Sequence, residues 1–347
     1  MIQAGIIGAS GYTGQELLRI LASHESVEIT VATSRSLAGS AVSSTYGNLR
    51  DAVDLDFEDI PIADAASRCD VLFIALPHGI ASQRITKDIL DDTVIIDLGA
   101  DYRLTDVGIY EQWYACTHGS PDLLAQAVYG LSELHHKKIA QASIIANPGC
   151  YTTSAILSAA PLLEKGLIDP ASLIIDAKSG VSGAGRTAKT ALMFCECDEN
   201  LKAYGIASHR HTPEIEQELS ALAKEQITLT FTPHLVPMNR GILTTCYAAR
   251  SGEASLDEVL EIYGEFYKDA PWVRVLPKGS FPETRWVKGS NFCDIGVTLD
   301  TRTNRMIAVG AIDNLMKGAA GQAVQNMNIR FGLEQTAGLG LGSIFPG

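Results

Sequence analysis

Residues 1–14, MIQAGIIGASGYTG, decide the fold. The apolar run Ile2 to Gly8 has the length of a buried strand and ends in glycine. From Gly11 to Ala22, Leu17, Leu18 and Leu21 recur at helical spacing, so a helix follows. Between them stands Gly8-Ala9-Ser10-Gly11-Tyr12-Thr13-Gly14, spaced GxxGxxG. A glycine pattern alone is often only a turn; one that ends a strand and opens a helix has the context of a dinucleotide loop. Glycines let the backbone approach a pyrophosphate, and the helix start offers N–H groups and a positive dipole end. Gly8, Ser10, Gly11, Tyr12, Thr13 and Gly14 are therefore the candidate pyrophosphate contacts.

The next strand, Val27 to Thr33, ends at Thr33-Ser34-Arg35-Ser36. A site for NAD usually has Asp or Glu here to bond the ribose 2′-hydroxyl. Ser34 and Arg35 instead suit a 2′-phosphate, which points to NADP; the plainer reading of Arg35 is a solvated loop residue. Val71 to Leu76, Val94 to Leu98 and Ser143 to Ala146 are further strands, with Gln83 to Leu90 able to form a helix. Apolar strands alternating with helices imply a parallel sheet buried on both faces. Pro77 and His78 follow the third strand, where loops line a cofactor crevice, though Pro77 and Gly79 equally make a simple turn.

After Thr152 to Gly166, a helix, strands predominate: Leu173 to Ala177, Ile227 to Phe231, Ile242 to Arg250, Asn291 to Leu299 and Met306 to Ile312. Ser255 to Lys268 is an amphipathic helix among them, and Asn314 to Arg330 reads as one long helix returning to the first domain. The expected fold class is α/β: an N-terminal Rossmann-type doubly wound parallel sheet, then an α+β substrate and dimerisation domain with a mixed sheet. The expected division is 1–147 with 314–347, and 148–313. Glycine-rich 336–347 is not placed by sequence.

A chain of 347 residues exceeds the ~250 at which single cores stop growing, consistent with two domains. Its net charge of −13 disfavours nucleic acid and anionic membranes as partners. No run approaches the ~20 apolar residues of a membrane span, and the N-terminus lacks a basic leader, so a cytoplasmic location is expected. Seven cysteines without a CxxC pair suggest neither a zinc site nor a disulfide framework, and no metal is expected.

Among those cysteines Cys150 stands apart. Asn147-Pro148-Gly149-Cys150-Tyr151 lies between a strand and a helix, and a helix N-terminus favours the thiolate. Pro148 and Gly149 would force a sharp turn that presents the sulfur; the alternative is a buried apolar cysteine. A catalytic thiol needs a proton-handling partner. His209-Arg210-His211-Thr212-Pro213-Glu214 offers two histidines before a helix whose first position is Pro213 and whose cap is Thr212. His135-His136, beside Lys137-Lys138, reads as solvated surface. Lys178 to Arg186, KSGVSGAGR, is a second Gly/Ser loop that either holds a phosphate or the cofactor or is a flexible linker. Its Arg186 has the fork to pair with carboxylate or phosphate.

The motifs GASGYTG at 8–14, DLGADYRL at 97–104, NPGCYTT at 147–153, KSGVSGAGR at 178–186, HRHTPEI at 209–215 and DNLMKGAAGQAVQNMN at 313–328 occur in this order. Together they resemble the N-acetyl-gamma-glutamyl-phosphate reductase family of arginine biosynthesis along essentially the whole chain. The resemblance implies NADPH-dependent reduction of N-acetylglutamyl 5-phosphate to the 5-semialdehyde through a thioester on Cys150. It implies acid–base work by His209, with His211 as second choice, and a nicotinamide contact at Asn314. Ser182 and Gly183 are taken as further cofactor contacts. Asn147, Ser179, Arg186 and Arg210 are taken as substrate contacts. A homodimer or homotetramer is implied as well. Competing readings are aspartate-semialdehyde dehydrogenase, a lysine-pathway acyl-phosphate reductase, a non-catalytic NADP-binding redox sensor, and a cysteine hydrolase; the last would not need the opening glycine loop.

Overall fold

Because parallel strands bury both faces, they are expected to read as near-continuous apolar runs. Val71–Ile74, Val94–Asp97 and Ile144–Ala146 are indeed buried at every residue. They belong to the first of two units in a computed structural model that describes residues 1–344. This unit comprises Met1–Pro148 and Ala319–Leu341. Its strands are β1 (Ile2–Ile7), β2 (Val27–Ala32), β3 (Val71–Ile74), β4 (Val94–Asp97), β5 (Val128–Tyr129) and β6 (Ile144–Ala146). All pair in parallel, in the order β2-β1-β3-β4-β6-β5. The chain leaves β1 to one side for β2 and returns to the other side for β3. That reversal between β1 and β3 is a topological switch point, where open parallel sheets bind ligands beyond the strands' carboxyl ends.

The second unit holds Gly149–Gly318 and the segment starting at Gly342. Its strands are β7 (Ile174–Gly180), β8 (Lys202–Ala203), β9 (Thr230–Val236), β10 (Ile242–Ala249), β11 (Val273–Val275), β12 (Cys293–Asp300) and β13 (Arg305–Ile312). They form a mixed sheet, β11-β12-β13-β10-β7-β9-β8, parallel only at β11/β12 and β7/β9. The Cys150–Glu164 helix lies on one face and is buried from Tyr151 to Leu163. Gly310 of β13 admits it closely: a Cβ there would collide with Ser158 Oγ. Pro161 sits inside this helix and cannot donate to Leu157 O. Tyr267 OH donates to that carbonyl instead, and Tyr263 OH to Ser158 O at 2.6 Å. Among the described residues no such helix covers the opposite face, where Leu243, Thr245, Tyr247 and Ile307 are half-buried and Ile174 is 40% exposed.

Four expected elements differ, the first being the strand read at Ile227 to Phe231, which runs instead from Thr230 to Val236. Gln83–Leu90 is not one helix but a short turn, Ala81–Arg84, and a 3-10 turn, Asp88–Asp91. Asn314–Arg330 is not one α-helix: Met316–Ala320 is a π-helical turn and the α-helix is Gly321–Arg330. The helix after the histidines begins at Thr212, so His211 and not Thr212 holds the cap position, without a side-chain cap. Among the described residues, no helix is long and apolar enough to cross a membrane.

Candidate active site

In the first unit, two glycines of the opening loop are compulsory for different reasons. Gly8 has φ +86°, and a Cβ there would lie 2.5 Å from Ala75 O. A Cβ on Gly14 would lie 2.6 Å from both Ala9 Cα and Gly8 O, so only glycine lets the helix start pack under the loop. Gly11 has room, its Cβ meeting nothing nearer than Gly8 O at 3.7 Å. The Tyr12–Leu21 helix has no side-chain cap and no acidic residue in its first turn. Its first N–H groups therefore point out as anion donors. The loop is braced from the second strand: Gly8 N donates to Thr33 Oγ1 at 3.1 Å, and Ser34 Oγ to Ser10 Oγ at 2.8 Å. Ser34 is buried and Arg35 exposed at the rim. The loop thus presents backbone N–H groups beside the hydroxyls of Ser10 and Ser34.

Beyond β3, Pro77 is exposed and His78 half-buried against the Tyr114 ring, 5.3 Å between centroids. Asn147 is 1% exposed and internally engaged. Its N–H donates to Asp97 O, its Nδ2 to Ala319 O at 3.1 Å, and its Oδ1 accepts from Asn326 Nδ2 at 3.1 Å. Its carbonyl accepts from Arg103 Nε at 2.8 Å. These bonds give Asn147 a bracing position within the first unit.

In the second unit, Cys150 is the first residue of the long helix and is half-buried. The helix's own first turn carries no acidic residue, and a helix N-terminus favours a thiolate. The turn before it is tied down by Glu214, whose Oε1 accepts from Gly149 N at 2.8 Å and Thr152 Oγ1 at 2.9 Å. Glu214 is 1% exposed. His211 stands against the same turn: a Cβ on Gly149 would collide with its Nε2, Cε1 and Cδ2 atoms. His209 lies 4.8 Å from His211, ring to ring, and its Nδ1 accepts from His211 N at 3.2 Å. Tyr151 and Tyr204 also flank His209, at 5.7 and 5.3 Å between centroids. Burial, then the Arg210 charge, push His209 down to about 4, so it is neutral at neutral pH. Tyr204 OH donates to Tyr151 OH at 3.3 Å, and Tyr151 OH to His234 O at 2.8 Å. Burial first, and then the neighbouring Tyr204, raise the Tyr151 phenol far above its usual range, keeping it protonated.

Gly318, in the π turn, presses on the nucleophile from the other side, its absent Cβ 2.8 Å from Cys150 Cβ. Asn314 belongs to this second unit, its Oδ1 accepting from Gly241 N at 2.8 Å and its Nδ2 donating to Ser182 Oγ at 2.9 Å. Ser182 is half-buried, and Gly183 and Arg186 are exposed on the loop after β7. Ser179 is 1% exposed, its hydroxyl donating to Gly180 O at 3.1 Å and lying in hydrogen-bonding reach of Tyr151. Arg210 is exposed. Sequence reasoning missed Glu214, Tyr204 and Gly318 as site residues. Glu214 and Gly318 lie inside quoted motifs; Tyr204 carries no sequence signal.

A family model described as "Semialdehyde dehydrogenase, NAD binding domain" matches residues 3–142. A second, "Semialdehyde dehydrogenase, dimerisation domain", matches residues 150–314. The N-acetyl-gamma-glutamyl-phosphate reductases of Moorella thermoacetica and Lachnoclostridium phytofermentans are each 52% identical over 346 residues, covering 100% of both chains. Among solved structures, aspartate semialdehyde dehydrogenase II of Vibrio cholerae has TM-score 0.71 and 17% identity, covering 95% of this chain and 98% of its own. The aspartate semialdehyde dehydrogenase of Candida albicans, solved with NADP, has TM-score 0.68 at 17% identity, with the same coverage. These two likenesses concern the fold.

Proposed function

The chain belongs to the N-acetyl-gamma-glutamyl-phosphate reductase family, and from that membership we propose that it reduces N-acetylglutamyl 5-phosphate with NADPH, through a thioester on Cys150. It is an oxidoreductase of the phosphorylating semialdehyde dehydrogenase kind. The observation that carries the mechanism is Cys150 opening a helix, with His211 against the residue before it.

The Cys150 sulfur attacks the acyl carbon; a C–S bond forms and phosphate departs with the electrons of the C–O bond. Backbone N–H groups at the helix start, from Cys150 or Tyr151, stabilise the oxyanion. We assign proton handling to His211. His209, its Nδ1 engaged by His211 N–H, carries its proton on Nε2 when neutral and orients its neighbour. This reverses the order of preference that the sequence suggested, and it is supported by the packing of His211 Nε2 on Gly149. Exposed Arg186 and Arg210 supply charge for the substrate's phosphate and carboxylate.

The glycine loop suits the pyrophosphate of a dinucleotide, and Ser34 with Arg35, in place of an acid, suits a 2′-phosphate. Reduced nicotinamide, when bound, supplies the hydride that brings the acyl group to the aldehyde level. The open face of the second unit's sheet supports a homodimer, in keeping with the dimerisation domain that matches it.

Cys150→Ser tests the reading. Turnover of N-acetylglutamyl 5-phosphate should fall to background while NADPH affinity stays at the wild-type value. Wild-type turnover in that variant ends the thioester mechanism. Tighter binding of NADH than NADPH removes the NADP preference, and a higher kcat/KM with aspartyl phosphate removes the substrate assignment.

A further inference from the structure

We infer that Asp101 is a positioning residue for the cofactor: it fixes the turn from Pro77 to Ser82 that borders the crevice beyond β3. The inference rests on the dinucleotide reading of the first unit. Asp101 is 0% exposed, so it touches no ligand itself. Its carboxylate collects three donors. Gly79 N lies 2.6 Å from Oδ1, Tyr110 OH 2.7 Å from Oδ1, and Ser82 N 2.9 Å from Oδ2. Its own carbonyl accepts from His118 Nε2 at 2.8 Å, which keeps the residue from swinging out.

The turn is short and irregular. It follows β3, which ends at Ile74, bends at Gly79 with φ +79°, and precedes the short Ala81–Arg84 helix. A buried charged acceptor holding two backbone N–H groups of one turn sets its shape more firmly than a neutral one. The same residues grip its other side. Tyr110 stacks on Tyr114 at 4.9 Å, and Tyr114 packs on the His78 ring at 5.3 Å. Through Tyr110, the carboxylate thus holds both the turn's backbone and the aromatic surface under His78. The turn begins beside the glycine loop, since the absent Cβ of Gly8 would lie 2.5 Å from Ala75 O. A dinucleotide whose pyrophosphate sits on that loop runs past this turn with its nicotinamide half, while its adenosine 2′-phosphate half points toward Ser34 and Arg35.

Asp101→Asn turns one acceptor oxygen into an NH2 that faces N–H donors, so at least one of the turn's bonds breaks. Two readouts test the inference. In the ligand-free protein, amide exchange at Gly79 and Ser82 should accelerate roughly ten-fold. NADPH dissociation constants should rise roughly ten-fold, while those of 2′,5′-ADP, which lacks the nicotinamide half, should stay within about two-fold. Tyr110→Phe, which deletes one donor and keeps the ring stack, should give a smaller change of the same kind and serves if the Asn variant does not fold. Faster exchange with unchanged NADPH affinity overturns the inference, as does equal loss of both ligands. His78→Ala separates the two levels. If it weakens NADPH binding while Asp101→Asn does not, the positioning role fails and the dinucleotide reading stands. If neither matters, the reading of this turn as cofactor-facing fails as well.

Discussion

Replacing Gly318 with alanine puts a methyl carbon 2.8 Å from Cβ of Cys150 and 3.2 Å from its Cα, with Ile312 Cδ1 at 3.3 Å. Carbon atoms in contact settle at about 3.5–4.0 Å, so one side must yield by roughly 0.7–1.2 Å. Neither side yields cheaply. Cys150 begins a helix buried along its length, and Gly318 lies in a π turn whose N–H donates to Asp313 O at 3.0 Å. Asp313 is itself locked, accepting from Arg240 Nε at 2.9 Å and Gly289 N at 2.7 Å. Overpacking of this kind costs about 1–3 kcal/mol of stability, which leaves most proteins folded. The catalytic cost is larger, because a misplacement of ~1 Å at a reacting group lowers turnover by about 10²-fold. The measurements are kcat with N-acetylglutamyl 5-phosphate, the alkylation rate of Cys150 by iodoacetamide, and NADPH affinity. We expect kcat to drop on the order of a hundred-fold and alkylation to change, with NADPH affinity retained. If kcat and alkylation both stay within about two-fold of wild type, the π turn does not position the nucleophile, and the reasoning from contact distance fails.

Further expectations concern other parts of the molecule. Burial and the Asp101 charge raise the Asp97 carboxyl to about 7, against the pull of Arg103 and of the Gly99 and Asp101 backbone donors. A raised acid stabilises the fold below its unfolded pKa and loses that contribution as pH rises through about 7. Asp97→Asn should therefore gain on wild type progressively from pH ~4 to ~7 and level off above that, by at most about 4 kcal/mol, in urea unfolding; a pH-independent difference would refute it. In the kcat–pH profile, an acid limb should persist in His209→Asn, since His209 is held down to about 4, and should vanish in His211→Asn; the opposite pattern reassigns the two roles. Ile307→Asp, on the open face of the second sheet, should halve the mass seen by light scattering, and an unchanged mass removes that face as the interface.

What sequence makes legible is what depends on near neighbours. The run Ile2 to Ile7, the fully buried β3 and β4, and the strand–glycine–helix order at Gly8 all follow from local period and local geometry. Residues 314–330 show where that stops. Their composition is helical, yet Asp313 Oδ1 accepts from Leu315 N at 2.8 Å and Met316 N at 3.1 Å, and its carbonyl takes Gly318 N. A side chain anchored by Arg240 and Gly289 thus widens the first turn, and neither partner is near in sequence. Asn147 shows the same reach across the chain. It stands three residues before the nucleophile, but Asp97, Arg103, Ala319 and Asn326 claim its polar groups.

Gly149 carries the point furthest. Its place in Asn147-Pro148-Gly149-Cys150 suggests a glycine needed for a sharp turn. Its backbone denies that: φ −66° and ψ 151° are open to any residue. What excludes a side chain is the His211 ring on its Cα, from a segment some sixty residues later. The glycine before the nucleophile is therefore a specification of where the histidine stands. The N–H of the same residue is held by Glu214, one turn beyond that histidine on the same helix start. Helix start and nucleophile turn are consequently one rigid assembly, joined by a missing methyl group on one side and a carboxylate on the other. The histidine's distance from the sulfur is set by packing that no flexible side chain can relax.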